Sequence, residues 1–262
     1  MRTLYESIFD NNEDTIDNNL RNEVQTFLER NYRGKFTISK NVDKDGKYKV
    51  TGTTNVYAKW DLSDEKRLTN GMFKFTKIKG DFSISECPYL ETLDGCPVEV
   101  GRAFYADGAT SLKSLKGAPK KVGGYCSLIG CSSLTSLEGA PEEVGGNFSC
   151  EECESLVTLK GAPKQIKGSF YCDHCPSLKS LEGFQKKIEG SFSCNFCPSL
   201  TSLEGAPEYV AWDFECSYCN LKSLKGMPKY IGRDFNCEGM GFRYEMLDEL
   251  GVEIVGDIDG LD

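Results

Sequence analysis

Apolar residues recur along this chain with a period of 22 residues. We number the positions of each repeat as columns, starting from a recurring aromatic residue at column 0; leucine then fills columns 8 and 11, and valine or isoleucine fills column 18. Column 0 holds Phe82, Phe104, Cys126, Phe148, Phe170, Phe192 and Phe214, and Phe235 follows after 21 residues. A unit this short cannot bury its own apolar side chains, so the period predicts seven stacked repeats over residues 82–234.

Columns 0 to 3 alternate apolar and polar side chains, which indicates a short strand with one buried face. In stacked repeats these strands would pair in parallel, about 4.8 Å apart, as one long sheet. A Gly-x-Pro step after column 11, such as Gly139 to Pro141, turns the chain back. Since no repeat has room for an α-helix between its turns, we expect an extended or 3₁₀ return wall. The expected fold is a mainly β, parallel-strand solenoid.

An open stack exposes its core at both ends, so each end needs a cap. Residues 17–81 form the predicted N-terminal cap, with a helix through Val24 and Leu28, a hairpin about Asp45 and Gly46, and a degenerate repeat over 60–81. Residues 235–262 form the predicted C-terminal cap, with a short helix ending at Gly251, a last strand over 252–255 and a frayed acidic end.

The 13 cysteines raise the question of metal or disulfide chemistry. Four consecutive repeats carry C-x-x-C in columns 2 and 5, a pattern typical of zinc sites. The candidate ligands are Cys150, Cys153, Cys172, Cys175, Cys194, Cys197, Cys216 and Cys219. In other repeats, however, the same columns hold Ile84, Ala106, Leu128 and Ala109, which cannot bind a metal. The strand spacing of about 4.8 Å also exceeds the ~3.8 Å between the Cβ atoms of a disulfide. We therefore predict buried core thiols and no cofactor, with metal binding and redox chemistry as the alternatives.

The repeat pattern F-x-C-x-x-C-x-x-L-x-x-L-x-G-A-P-x-x-V resembles the leucine-rich repeat. The copies that begin at Phe148 and Phe192 are similar to short repeats in proteins of large tailed bacteriophages and their bacterial hosts. The resemblance covers about residues 60–235 and implies a binding surface. Residues 1–16 form a short amphipathic peptide followed by a polar linker, and they resemble the leader peptides of some tailed-phage proteins. The alternatives for this peptide are a helix folded onto the cap and disorder.

Charge and composition exclude several classes of protein. A net charge of −9 disfavours nucleic acid and anionic membranes as partners, because such partners need an excess of Lys and Arg. No apolar run approaches the roughly 18 residues of a membrane span, and the N-terminus lacks a classical secretion signal. We therefore expect no membrane insertion and a cytoplasmic or virion-associated location.

Catalysis has little support in the sequence. His174 is the only histidine, so no Ser-His-Asp or Cys-His arrangement is possible without it. The chain also has no phosphate loop, dinucleotide fingerprint or calcium loop. We expect that the protein is not an enzyme.

Columns 1, 3 and 4 should project from the strand face, where repeat proteins usually bind their partners. Aromatic and polar residues there, with one tryptophan at the edge, suit a protein partner or a glycan. The partner-binding candidates are Tyr105, Tyr171, Asp173, His174, Asn195, Phe196, Trp212 and Tyr218. The predicted function is a non-catalytic protein interaction module that uses the strand face of the solenoid, and the alternative for these residues is tolerated variation on a solvated sheet. A glycan- or host-surface-binding adhesin and a metal-binding, cysteine-rich structural protein are the alternatives.

Overall fold

A computed structural model describes residues 4–59, 68–69 and 71–261, with the side chains of the first helix from residue 18 onward. The chain forms a parallel β-solenoid of about nine turns with a repeat of about 22 residues. Its helices are α1 (Leu4–Asn31) and α2 (Glu245–Leu250). Its strands are β1 (Tyr32–Arg33), β2 (Phe36–Ile38), β3 (Tyr48–Gly52), β4 (Val56–Ala58), β5 (Phe73–Ile78), β6 (Phe82–Ser83), β7 (Glu99–Val100), β8 (Phe104–Tyr105), β9 (Lys121–Val122), β10 (Cys126–Ser127), β11 (Glu143–Val144), β12 (Phe148–Ser149), β13 (Gln165–Ile166), β14 (Phe170–Tyr171), β15 (Lys187–Ile188), β16 (Phe192–Ser193), β17 (Tyr209–Val210), β18 (Phe214–Glu215), β19 (Tyr230–Ile231), β20 (Phe235–Asn236), β21 (Glu253–Ile254) and β22 (Ile258–Asp259).

The even-numbered strands from β4 to β22 build one wall, an eleven-stranded sheet that β1 completes at the N-terminal edge. We call it the front sheet. Its strands pair in register, so that Phe148 lies opposite Phe170, and these two buried rings stack with centroids 5.5 Å apart. The aromatic column predicted from the sequence is therefore a ladder of core rings.

From β7 onward the return wall also consists of two-residue parallel strands, at columns 17 and 18. Together with the longer strands β2, β3 and β5, of which β2 and β3 are antiparallel, they form a seven-stranded sheet that ends at β13. A four-stranded sheet from β15 to β21 follows, and we call the two sheets the rear wall. The extended conformation that the sequence predicts for the return wall is confirmed. The sequence did not predict that these segments pair into sheets. The column-18 side chains from Val100 to Ile231, such as Val144 and Ile188, are buried in the core, and the corresponding Ile254 of β21 is half-buried.

The rear wall is interrupted at one repeat. Within residues 71–261, β13 and β15 are the neighbouring rear-wall strands that do not pair. This repeat has Phe184 where most others have alanine, and the Phe184 ring packs at 4.6 Å from Phe170 and 5.0 Å from Phe192. An aromatic ring needs more room than a methyl group, which accounts for the lost pairing.

Side chains beside the front strands hold successive turns together. In column 21, Asn147 Oδ1 accepts the backbone N–H of Ser169 at 2.9 Å, and Ser169 Oγ accepts that of Ser191 at 2.9 Å. In column 3, Asp107 Oδ1 accepts the N–H of Ile129 at 3.0 Å. These polar ladders satisfy backbone donors that the short strands leave unpaired.

The caps agree with the sequence in most respects. Val24 and Leu28 of α1 are fully buried, β2 and β3 form the predicted hairpin, and Gly251 ends α2 in a left-handed conformation. The polar run assigned to a linker before residue 17 lies within α1. Residues 60–67 and 70 of the degenerate repeat lie outside the described residues.

The C-terminal end corrects one expectation. Residues predicted to fray instead form β22, which pairs in parallel with β20 through Phe235 and Ile258. Ile258 aligns with the aromatic column, so the acidic segment carries one more strand of the front sheet. In the described part of the chain, no helix has the length and apolar character needed to cross a membrane.

Candidate functional site

A groove of about 810 Å³ runs along the stack where each front strand ends. Its banks are columns 4 and 6 of six successive repeats, and the column 5 side chains between them point into the core. The lining residues are Thr110, Gly130, Ser132, Glu152, Glu154, His174, Pro176, Phe196, Pro198 and Tyr218. Three of these, His174, Phe196 and Tyr218, are exposed candidates predicted from the sequence.

The column-4 backbone adopts a left-handed conformation in every repeat along the groove. Glycine occupies this position at Gly108 and Gly130, with φ near +70°, but the next four repeats have Glu152, His174, Phe196 and Tyr218 at φ of 55–58°. This conformation lets the column-4 N–H donate to the next turn, as Phe196 N does to Ser217 O at 2.9 Å. For a residue other than glycine it costs about 1–2 kcal/mol. The groove therefore keeps large side chains where glycine would be less strained.

The aromatic side chains of column 4 form one continuous stack. His174 and Phe196 stack at 4.6 Å with an interplanar angle of 5°, and Phe196 and Tyr218 stack at 4.7 Å with an angle of 11°. The next turn supports the stack at Gly239, where a Cβ atom would lie 2.7 Å from Tyr218 Cδ1. The Tyr218 hydroxyl donates to Glu238 at 2.9 Å. Because the rings cover one another's faces, the stack presents mainly ring edges to the groove.

The other half of the groove is acidic. Glu152 and Glu154 are both exposed, and none of the described residues that line the groove is Lys or Arg. Among the described residues, neither carboxylate has a salt-bridge partner, whereas rear-wall carboxylates have close lysines: Lys121 and Glu143 lie 2.7 Å apart. The groove thus combines an unpaired negative end with an apolar aromatic end.

The remaining candidate residues lie outside the groove. Asp173 Oδ1 accepts the N–H of Asn195 at 2.7 Å, and Asn195 Oδ1 accepts that of Ser217 at 2.7 Å, so both belong to the column-3 ladder. Burial raises the pKa of the half-buried Asp173, and the hydrogen bonds that it accepts partly offset this effect. These two side chains therefore have structural partners within the chain.

Three aromatic candidates also lie apart from the groove. Tyr105 and Tyr171 are half-buried on the front sheet, and the Tyr105 ring meets Tyr125 edge to face at 5.9 Å. Trp212 is 49% exposed in the turn before β18. Of the eight predicted partner-binding residues, the structure brings His174, Phe196 and Tyr218 together.

The cysteine columns belong to the core, as the sequence predicts. Twelve of the thirteen cysteines are buried, Cys219 is half-buried, and all thirteen are free thiols. The column-5 thiols donate to column-2 carbonyls of the preceding turn, as Cys175 Sγ does to Cys150 O at 3.3 Å and Cys197 Sγ to Cys172 O at 3.4 Å. These thiols thus continue the hydrogen bonding between turns.

Burial makes the core thiols weak acids. It raises the pKa of Cys131 and of Cys175 to about 12, which keeps both protonated at neutral pH. The half-buried Cys219 thiol donates to Cys194 O at 3.1 Å. The described residues contain no cluster of three or more His, Cys, Asp or Glu side chains that could hold a metal ion.

Comparisons with protein-family models, curated proteins and solved structures give no match to this chain. The groove was only partly foreseen from the sequence, which missed Glu154, Pro176 and Pro198 in column 6. The available signal was that Glu154, Pro176 and Pro198 occupy column 6 in the same repeats that carry Glu152, His174 and Phe196 in column 4.

Proposed function

We propose that this protein is a non-catalytic interaction module that binds a protein partner through the column-4 groove. The main support is the stack of His174, Phe196 and Tyr218. Their rings are exposed, and each of these residues keeps a strained left-handed backbone that glycine would relieve. Strained residues that a fold retains are concentrated at functional sites. Exposed aromatic groups are also enriched at protein interfaces.

The geometry favours a protein over a glycan. Sugar rings pack against the faces of aromatic rings, but the faces of Phe196 are covered by His174 and Tyr218. An adhesin of an oxidising environment would also be expected to use disulfides, whereas the cysteines here are free thiols in the core. The proposal includes a cytoplasmic or virion-associated location. Relationship to leucine-rich repeats and a phage or bacterial-host origin are also proposed, on the repeat pattern alone.

The test is affinity purification from the native source with three baits. The groove variant carries Phe196→Ser and Tyr218→Ser. The control carries Tyr209→Ser and Tyr230→Ser, which remove an equivalent ring pair, stacked at 4.7 Å on the rear wall. We expect the wild type and the control to recover the same partner, and the folded groove variant to lose it. Recovery of that partner by the groove variant would refute the proposed site.

A further inference from the structure

We infer that the column-4 groove binds an extended peptide segment of about seven residues, with Lys or Arg toward one end and large apolar side chains toward the other. This inference rests on the proposed function and specifies its ligand. It follows from the dimensions of the groove, from the orientation of its rings and from the distribution of its charges.

The dimensions select a single extended chain. The groove spans six repeats, and five steps of about 4.8 Å give a length of about 24 Å. Columns 4 and 6, the two banks, are two residues apart in each repeat, so they lie at most about 7 Å from one another. This is narrower than an α-helix with its side chains, which is about 10–12 Å wide. A chain that extends by about 3.3 Å per residue would cover the groove with about seven residues.

The aromatic end favours apolar side chains and backbone carbonyls. Phe196 is 44% exposed and Tyr218 is 48% exposed, and Pro176 and Pro198 form the opposite bank. Ring edges carry partial positive charge, so they attract carbonyl oxygens and the faces of a partner's aromatic rings. Burial of the exposed ring area would supply most of the affinity.

The acidic end favours a cation. Glu152 follows the aromatic stack directly in column 4, and Glu154 faces it from column 6. On the rear wall, Glu208 contacts both Lys186 and Lys229 at 3.1 Å, so its charge is already neutralised. The groove carboxylates have no such partner among the described residues, which leaves them open to a Lys or Arg of a ligand.

The experiment is a selection of random nonapeptides displayed on phage against the full-length protein. We expect enriched peptides to carry Lys or Arg three to five residues from a large apolar residue. One enriched peptide is then synthesised with a fluorescent label, and its binding is measured by anisotropy. The charge variant carries Glu152→Gln and Glu154→Gln, and its matched control carries Glu142→Gln and Glu143→Gln on the rear wall.

We expect the charge variant to weaken binding about 2- to 30-fold at low salt and to reduce the salt dependence. Phe196→Ser with Tyr218→Ser should weaken it at least about tenfold, and the rear-wall control should bind like the wild type. The inference is overturned if no peptide is enriched, if enriched peptides lack basic residues, or if the charge variant binds like its control. If no peptide is enriched but the groove variant still loses its natural partner, the proposed function is retained and the extended peptide ligand is rejected.

Discussion

Replacing Phe196 tests whether the groove maintains backbone strain. Alanine at this position keeps the Cβ atom in a left-handed conformation, whereas glycine has no Cβ and adopts φ of +55° freely. Both variants lose the ring and its two stacking contacts. We therefore expect Phe196→Gly to be more stable than Phe196→Ala by about 1 kcal/mol, because the left-handed penalty of about 1–2 kcal/mol exceeds the about 0.5–1 kcal/mol that glycine costs in backbone entropy.

The expected difference is measurable by thermal unfolding. At about 2.1 cal/mol/K per residue, cooperative unfolding of 262 residues has an entropy of about 550 cal/mol/K. A difference of about 1 kcal/mol then separates the two melting temperatures by about 2 °C. Relative to the wild type, Phe196→Gly loses two ring contacts worth about 0.5–1.5 kcal/mol each and gains the strain relief, so it should stay within about 2 kcal/mol.

A control position should show the opposite effect of glycine on stability. Ala206 is half-buried and has no positive φ, so Ala206→Gly should lower stability by at least about 0.5–1 kcal/mol. Scanning calorimetry of the three variants and the wild type, with circular dichroism to confirm the fold, gives the comparison. If Phe196→Gly melts below Phe196→Ala by as much as Ala206→Gly melts below the wild type, the left-handed conformation carries no strain, and the strain argument for this site fails.

Three further outcomes follow from the geometry. Gly239→Ala should destabilise the protein by more than about 1 kcal/mol in chemical denaturation, because its Cβ would meet Tyr218 Cδ1 at 2.7 Å and φ is +81°; a neutral result would contradict the stack geometry. Thiol titration should modify Cys219 first in the native protein and all 13 cysteines after denaturation, since the other twelve are buried; rapid reaction of several thiols would contradict the packed core. Asp173→Asn should raise the melting temperature at pH 7 and flatten its pH dependence. Burial raises the folded-state pKa of Asp173, so its charge destabilises the fold above that pKa, and this cost disappears as pH falls through it. A lower melting temperature at pH 7 would show that the hydrogen bonds to the carboxylate outweigh its burial.

The buried columns could be predicted because the core needs an apolar side chain at the same column of every repeat. Phe148 and Phe170 are in register 22 residues apart, and the core needs an apolar side chain at both positions. The same reasoning placed the cysteines, since Ile84 and Leu128 fill column 2 as well as Cys150 does. Repetition also identified column 4 as a candidate surface.

The candidate site and the C-terminal strand could not be predicted in the same way, because they depend on distances and register that a sequence pattern does not show. Asp173 and Phe196 both lie in columns that the sequence predicts to project from the strand face. Only coordinates show that Asp173 accepts the N–H of Asn195, whereas Phe196 lines a groove. The left-handed backbone was also hidden, because Glu152 and Phe196 share their conformation with Gly130 without resembling it. At the C-terminus, acidic composition obscured Ile258, whose pairing with Phe235 is set by register.

The interruption between β13 and β15 marks the line along which we expect the solenoid to bend most easily, because the rear wall has no strand pairing there. That line lies between the repeats of Gln165–Ile166 and Lys187–Ile188, which carry Glu152 and His174. Bending there would open the rear wall. The groove lies on the opposite, continuous side, where the Glu152 N–H donates to Asp173 O at 3.0 Å across the same line, so the spacing of its side chains would be preserved.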